Sequence, residues 1–269
     1  MIQRSRNWLL LAVCSMALGS GIAVIERFFW LSIDSLLPKA EKVVDFSRPG
    51  TITILSSDGK IIQKLGPATQ EKLSPGSMPE IVKQAFIAAE DRRFYQHKGV
   101  DLWGIGRAFI SNLREGALTE GGSTITQQLA RTVFLNQDKT LTRKIKEVAL
   151  AFKLERDLSK QEILEQYLNY VYLGSGAYGI ADAAWVYYSK TPDLLTVEEA
   201  ALIAGLPPAP SFYSPLVNPE LAIERRTIVL KRMYGQGFIS EKELLKAIQQ
   251  PMAIEPATPK YLESKAPFF

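Results

Sequence analysis

Gly121-Gly122-Ser123-Thr124-Ile125-Thr126-Gln127-Gln128-Leu129 decides the fold class. Two glycines permit a turn. Thr124 followed three residues later by Gln127 is the pattern in which side chain and backbone satisfy each other's unpaired groups at a helix start. The pattern recurs as Ser77 with Glu80, Ser159 with Glu162, Thr196 with Glu199 and Ser240 with Glu243, each leading into an apolar-periodic stretch. Helices are therefore expected to dominate from 78 to 250. Strand signals are confined to two short alternating runs, Thr51 to Ser56 and Lys60 to Leu65, around Asp58-Gly59, a dipeptide that favours a hairpin. The fold class is mainly α, with a small β-hairpin ahead of the helices.

With 269 residues, 46% hydrophobic and 22% charged, the chain can bury a substantial core without disulfides or metals. The only cysteine, Cys14, admits no intramolecular disulfide. A net charge of +4 and a pI near 9.0 are too mild to indicate nucleic-acid binding, but they favour anionic headgroups or phosphates. From Trp8 to Ile25 the chain is uncharged and apolar, with Arg4 and Arg6 before it, and Glu26-Arg27 and the aromatic cluster Phe28, Phe29 and Trp30 after it. This predicts a transmembrane anchor over 8–31, with residues 1–7 cytoplasmic and the rest outside. A cleaved signal peptide is the competing reading, because small residues lie around Ala17 to Ala23. A linker with the hairpin is expected over 32–66, one catalytic domain over 67–250 and an extended, Pro-rich segment over 251–269.

Two acids stand in separate charged segments. Glu90 ends a helix-like run from Ile81 to Ala89 and opens Glu90-Asp91-Arg92-Arg93-Phe94-Tyr95-Gln96-His97-Lys98-Gly99-Val100-Asp101. A carboxylate at a helix end beside aromatics can act as a base, because partial desolvation raises its pKa toward the working range. The Glu-Asp-Arg-Arg run also reads as a solvated surface cluster. Glu147 lies in Leu141 to Arg156, a helix whose apolar stripe is Leu141, Ile145, Val148, Ala149 and Phe152, while Arg143 and Glu147 share another face at i, i+4. Arg131, Lys139, Arg143, Lys144, Lys146 and Lys153 crowd the same region. Arg143 and Lys144 could neutralise a pyrophosphate beside Glu147; a salt-bridged surface helix is the plain alternative. Gly174 to Gly179 fits a dinucleotide fingerprint, but a capped helix precedes it where that motif needs a strand. Ser57 to Lys60 has the Ser-x-x-Lys spacing of a reactive serine, yet it falls on the hairpin turn. His97, the one histidine, allows no histidine-rich metal site.

Taken together, these segments resemble the peptidoglycan glycosyltransferase family, the transglycosylase module of class A penicillin-binding proteins and of monofunctional cell-wall polymerases. The resemblance covers roughly Leu73 to Ile248. Glu90 to Asp101 is similar to the first family motif, Gly121 to Leu135 to the second, Arg143 to Glu155 to the third, Glu162 to Gly179 to the fourth, and Glu224-Arg225-Arg226 through Arg232 to the fifth.

The resemblance implies a lysozyme-like, bilobal fold and polymerisation of lipid II on the outer face of the cytoplasmic membrane. It implies inversion at the anomeric carbon, a β-1,4 linkage and release of undecaprenyl pyrophosphate. Glu90 would be the catalytic base toward the incoming 4-hydroxyl, and Glu147 the second acid, assisting the leaving group. Ser123, Gln127, Arg131, Arg143 and Lys144 would contact phosphate or sugar, and Asp91, Thr124, Gln128 and Tyr172 complete the implied substrate-binding set. The partners implied are lipid II, the growing glycan, the cytoplasmic membrane and proteins of a cell-wall synthesis complex, with no nucleic acid. Only some members depend on a divalent metal, so Mg2+ or Mn2+ stays open and no ligand is assigned. Where the second motif commonly reads Lys-Asn, this chain has Arg131-Thr132, which keeps the charge and changes its shape. Leu102 to Leu118, apolar with scattered Arg, is as expected of the family's membrane-dipping jaw, with buried core as the alternative. Lys265 to Phe269 resembles a junction into a transpeptidase domain. A lysozyme-type hydrolase would share the carboxylate pair but leave the basic run unexplained; an inactive membrane-anchored module would not need both acids.

Overall fold

The computed structural model describes residues 38–43, 52–65, 72–115, 121–135 and 140–256. The chain divides into two compact units, 1–42 and 43–269. The anchor expected over 8–31 and the junction expected at Lys265 to Phe269 lie outside the described residues. Among the described residues no helix is long and apolar enough to cross a membrane.

Within the second unit, β1 (Ile52–Leu55) pairs antiparallel with β2 (Ile61–Leu65). The register runs Ile52 to Leu65, Thr53 to Lys64 and Ile54 to Gln63, then slips so that Leu55 faces Ile61. The turn beyond it keeps the shifted register. The Ser56 N–H donates to the Lys60 carbonyl at 2.8 Å, and Gly59 takes φ +79°. Three residues, Ser57 to Gly59, form the loop between the two runs, and a left-handed glycine is the usual three-residue solution.

The helices that follow among the described residues are α1 (Glu80–Glu90), α2 (Leu102–Glu115), α3 (Ile125–Phe134), α4 (Leu141–Asp157), α5 (Lys160–Tyr170), α6 (Gly179–Tyr188), α7 (Val197–Ala204), α8 (Pro219–Gly235) and α9 (Glu241–Gln249). Reciprocal capping boxes form at Thr124, Ser159, Thr196 and Ser240, as their spacing predicts. Ser77 departs from the expectation. Its hydroxyl donates to the Ser74 carbonyl at 2.6 Å, closing a turn at Gly76, and α1 begins after Pro79 without a side-chain cap. The glycine-rich run from Gly174 is a turn after helix α5, so no strand precedes it.

α1 is the hub. It packs against α7 and α8, and α3 packs against α4 and α5. Val82, Ala85, Phe86, Ile87, Ala88 and Ala89 are buried along α1, and Phe86 meets Tyr167 of α5 edge-on at 6.1 Å between ring centres. The face α4 turns inward differs from its apolar stripe. Glu147, Leu150, Ala151 and Leu154 are buried at i, i+3, i+4 and i+7, while Leu141 and Ile145 stand exposed. The helical period was right and the inward face is the one that starts at an acid.

Between α1 and α3 the chain passes α4 at Gly99, which takes φ +91°. A Cβ there would lie 3.0 Å from both the carbonyl carbon and oxygen of Ala151, while the Gly99 carbonyl accepts the Thr124 hydroxyl at 2.6 Å. Gly76 has φ +79° but open space around a Cβ. Gly76→Ala should therefore cost only backbone strain, about 1–2 kcal/mol, whereas Gly99→Ala adds a backbone clash and should lower Tm further, at about 2–4 °C per kcal/mol. Paired thermal melts read the difference, and equal losses would show that the α4 contact imposes nothing at Gly99.

Candidate active site

Asp91 fixes where the site begins. It follows the last residue of α1, is buried, and its Oδ2 accepts the Ile125 N–H at 3.0 Å. His97 Nε2 lies 3.0 Å from both carboxylate oxygens. A carboxylate at a helix N-terminus satisfies an unpaired amide and meets the positive end of the helix dipole. The C-terminal end of α1 is therefore held against the N-terminal end of α3. From the other side, Arg232 of α8 donates to the Ala89 carbonyl at 2.7 Å, satisfying one of the carbonyls that a helix end leaves open.

Held between these contacts, Glu90 projects into a cavity of about 570 Å³. Its walls are Glu90 and Asp91 from the end of α1, Gly104 and Arg107 from α2, the turn Gly121 to Thr124, Gln128 and Arg131 from α3, Pro207 to Ala209 with Tyr213, and Arg225 and Arg232 from α8. Five arginines (Arg92, Arg107, Arg131, Arg225, Arg232) line it against three carboxylates (Glu90, Asp91, Asp101), so the hollow suits an anion. Glu90 Oε2 accepts from Gln128 Nε2 at 2.6 Å. Burial pushes the Glu90 carboxyl above its ordinary 4.5, opposed by the Gln128 hydrogen bond and the charges of Arg225, Arg232 and Arg131.

Glu147 is fully buried and is not part of the cavity wall. It gathers cations. Lys144 Nζ lies 2.5 Å from Oε1, and Arg143 and Arg131 reach Oε2 at 3.5 and 4.0 Å. Two of its neighbours connect it to the hollow: Arg131 lines the cavity itself, and Lys144 donates to the hydroxyl of Ser123, which also lines it, at 3.1 Å. The two acids thus approach one cavity from different depths, Glu90 directly and Glu147 through cations.

The remaining residues singled out by sequence divide. Asp91, Ser123, Thr124, Gln128 and Arg131 line the cavity with Glu90. Gln127 is buried, and its Oε1 accepts the Thr124 N–H at 3.0 Å, closing the capping box. Arg143 and Lys144 surround Glu147. Tyr172 is away from the lining, its ring 4.7 Å from that of Tyr178 across an isolated backbone bridge.

Sequence reasoning missed part of the wall. Arg225 and Arg232 were legible as a motif but not as site residues; their spacing of seven puts them on one face of α8 two turns apart. Arg225 also stacks over Tyr213 at 5.1 Å. Its neighbour Arg226 turns inward and donates to the Gln250 carbonyl at 3.0 Å, a division only packing sets. No group of three His, Cys, Asp or Glu side chains converges among the described residues. Of the cavity acids, Asp91 has both oxygens on His97, Asp101 lies 3.9 Å from Arg93, and Glu90 holds Gln128.

Comparison with known proteins identifies the family. The family model described as Transglycosylase matches residues 58–234. Penicillin-binding protein 1A of Neisseria lactamica is 42% identical over 92% of this chain and 30% of its own length. Its counterparts in Neisseria gonorrhoeae and Aquifex aeolicus are 44% and 43% identical, over 81% and 84% of this chain and 27% and 31% of theirs. The chain thus spans about 30% of the length of the curated relatives it matches. A crystal structure of penicillin-binding protein 1A from Haemophilus influenzae aligns with TM-score 0.45 at 25% identity, covering 80% of this chain and 22% of that one. With a family model over residues 58–234 and relatives above 40% identity, this chain belongs to the transglycosylase family, the peptidoglycan glycosyltransferases.

Proposed function

We propose that the chain polymerises lipid II into β-1,4-linked glycan, with inversion, on the outer face of the cytoplasmic membrane, in a lysozyme-like, two-lobed form. The observation that carries the reading is one cavity holding a desolvated carboxylate, Glu90, among five arginines. Hydrolysis of a glycan would need the carboxylate but has no use for so many cations. Sugar transfer from a pyrophosphate uses both.

Glu90 accepts the proton of the acceptor's 4-hydroxyl as its oxygen attacks the anomeric carbon of the donor. The new carbon–oxygen bond forms on one face. The bond to the pyrophosphate oxygen breaks on the other, and its electron pair leaves with undecaprenyl pyrophosphate, giving inversion. Arg131, with Arg143 and Lys144 behind it, stabilises the charge that develops on the leaving group. Glu147 keeps those three cations grouped, and Ser123 joins Lys144 to the cavity turn. Access from a bilayer is supported by α2, where Leu102 and Trp103 are each 76% exposed and Ile105, Ile110 and Leu113 also face outward, on the helix that supplies Gly104 and Arg107 to the wall. The apolar run expected as an anchor over 8–31 agrees with that placement, N-terminus inside.

Full chain given labelled lipid II should yield polymer, and Glu90→Gln should lower its rate by about 10²- to 10⁴-fold with the fold intact by circular dichroism. Cleavage of preformed glycan in its place would assign a lysozyme-type hydrolase, and near-full turnover by the mutant would remove Glu90 from the base role.

The raised Glu90 carboxyl sets two pH effects of opposite sense. Activity requires the ionised form, so kcat/KM should fall as pH drops through a value above the ordinary 4.5. Stability runs the other way: below the ordinary value both folded and unfolded chains hold the proton, and as pH rises through the folded value the native state must bury a charge. Glu90→Gln should therefore melt higher than the parent at neutral pH, with the gap closing below about pH 4.5. Melts across pH 4 to 8 (roughly the carboxylate-to-neutral window) test this, and a lower Tm for the mutant at neutral pH would contradict it.

A further inference from the structure

Three helices meet at the carboxylate in a chain of hydrogen bonds with a fixed direction. Tyr167 of α5 donates its hydroxyl to Gln128 Oε1 of α3 at 3.2 Å, and Gln128 Nε2 donates to Glu90 Oε2 at the end of α1 at 2.6 Å. We propose that Gln128 and Tyr167 are positioning residues that hold Glu90 ionised and present its other oxygen, Oε1, to the substrate hydroxyl. This rests on Glu90 being the base.

The direction follows from donor and acceptor chemistry. An ionised carboxylate only accepts, so the amide must turn its nitrogen toward Glu90. The amide oxygen then needs a donor, and the phenol has one proton to give. If Glu90 takes up a proton, it can become a donor itself, and the amide is then served equally well reversed. The relay is thus internally consistent in its drawn sense when the base is ready to act.

Tyr167 is 1% exposed, and burial together with the Glu90 charge pushes its hydroxyl well above its ordinary 10.0, so it stays a donor at working pH. The other groups acting on Glu90 are Arg131 of α3 and Arg225 and Arg232 of α8, with Asp91 adjacent in sequence; the buried residues of α7, which packs on α1, are all apolar. The arginines favour ionisation without choosing an oxygen. Among the described residues, the Gln128 amide engages a specific one, Oε2.

The test uses the full chain with labelled lipid II, with two variants and two readouts. Gln128→Met removes the donor to Glu90, and Tyr167→Phe keeps the buried ring while removing only the hydroxyl. The acidic limb of kcat/KM should move to higher pH by about one to two pH units in Gln128→Met and in the same direction, less far, in Tyr167→Phe, which lies behind the cavity wall and should leave KM little changed. The second readout is independent of turnover: the carboxyl ¹³C titration of Glu90, identified as the signal that Glu90→Gln removes, should shift upward in both. An unmoved carboxyl titration in Tyr167→Phe overturns the relay, whatever the activity does, and holds even if Gln128→Met fails to fold. A carboxyl titration that moves while the kinetic limb stays fixed keeps the relay and overturns Glu90 as the base. Both moving together supports both.

Discussion

Everything near the cavity depends on one buried carboxylate bridging two helix ends. Asp91 accepts the first amide of α3 while its two oxygens share His97, so the chain leaving α1 cannot drift from the chain entering α3. Removing it would leave a buried amide and an imidazole without their acceptor, and unmet buried donors cost more than the bond is worth. Glu90 stands immediately before Asp91, and Gln128 lies one helical turn inside α3. The distance between Glu90 and the Gln128 amide is therefore set by a structural acid next door.

A second buried acid organises the other end. Glu147 replaces an apolar residue on the inward face of α4 and is tolerated there because three cations meet it. Glu155 does related work one layer on: it accepts the buried Thr126 hydroxyl at 2.5 Å and pairs with Lys160 at 2.7 Å, while Lys160 sits 4.4 Å over the Phe94 ring. α3, α4, α5 and the loop after α1 are thus joined by charge as well as by packing. A core built this way holds cations at chosen points, which suits a site that binds charged substrate, and it does so at some expense in desolvation.

The wall contributed by α8 shows how distant sequence enters the site. Arg232 reaches Ala89 across 143 residues, and the same helix brings Arg225 onto Tyr213. One contact ends a helix and the other fixes a guanidinium plane, so both arginines are oriented before any ligand arrives. Preorganised charge of this kind loses little on binding. The exposed apolar side chains of α2, beside the same hollow, place greasy surface and cationic surface on one helix.

The capping boxes at Thr124, Ser159, Thr196 and Ser240, the hairpin about Asp58-Gly59 and the segments that hold Glu90 and Glu147 were legible in the sequence, because each rests on groups within four residues of one another. Ser77 misled for the same reason: a nearer carbonyl, Ser74, competed for its hydroxyl. What the sequence by itself determined was helical content, helix starts and the residue types of the site. The tertiary structure alone decided that Glu147 is buried and Leu141 exposed, that Arg225 faces the cavity while Arg226 does not, and that Gln128 addresses Glu90. Those outcomes depend on which helix lies opposite, and burial, field and hydrogen-bond direction are properties of that partner.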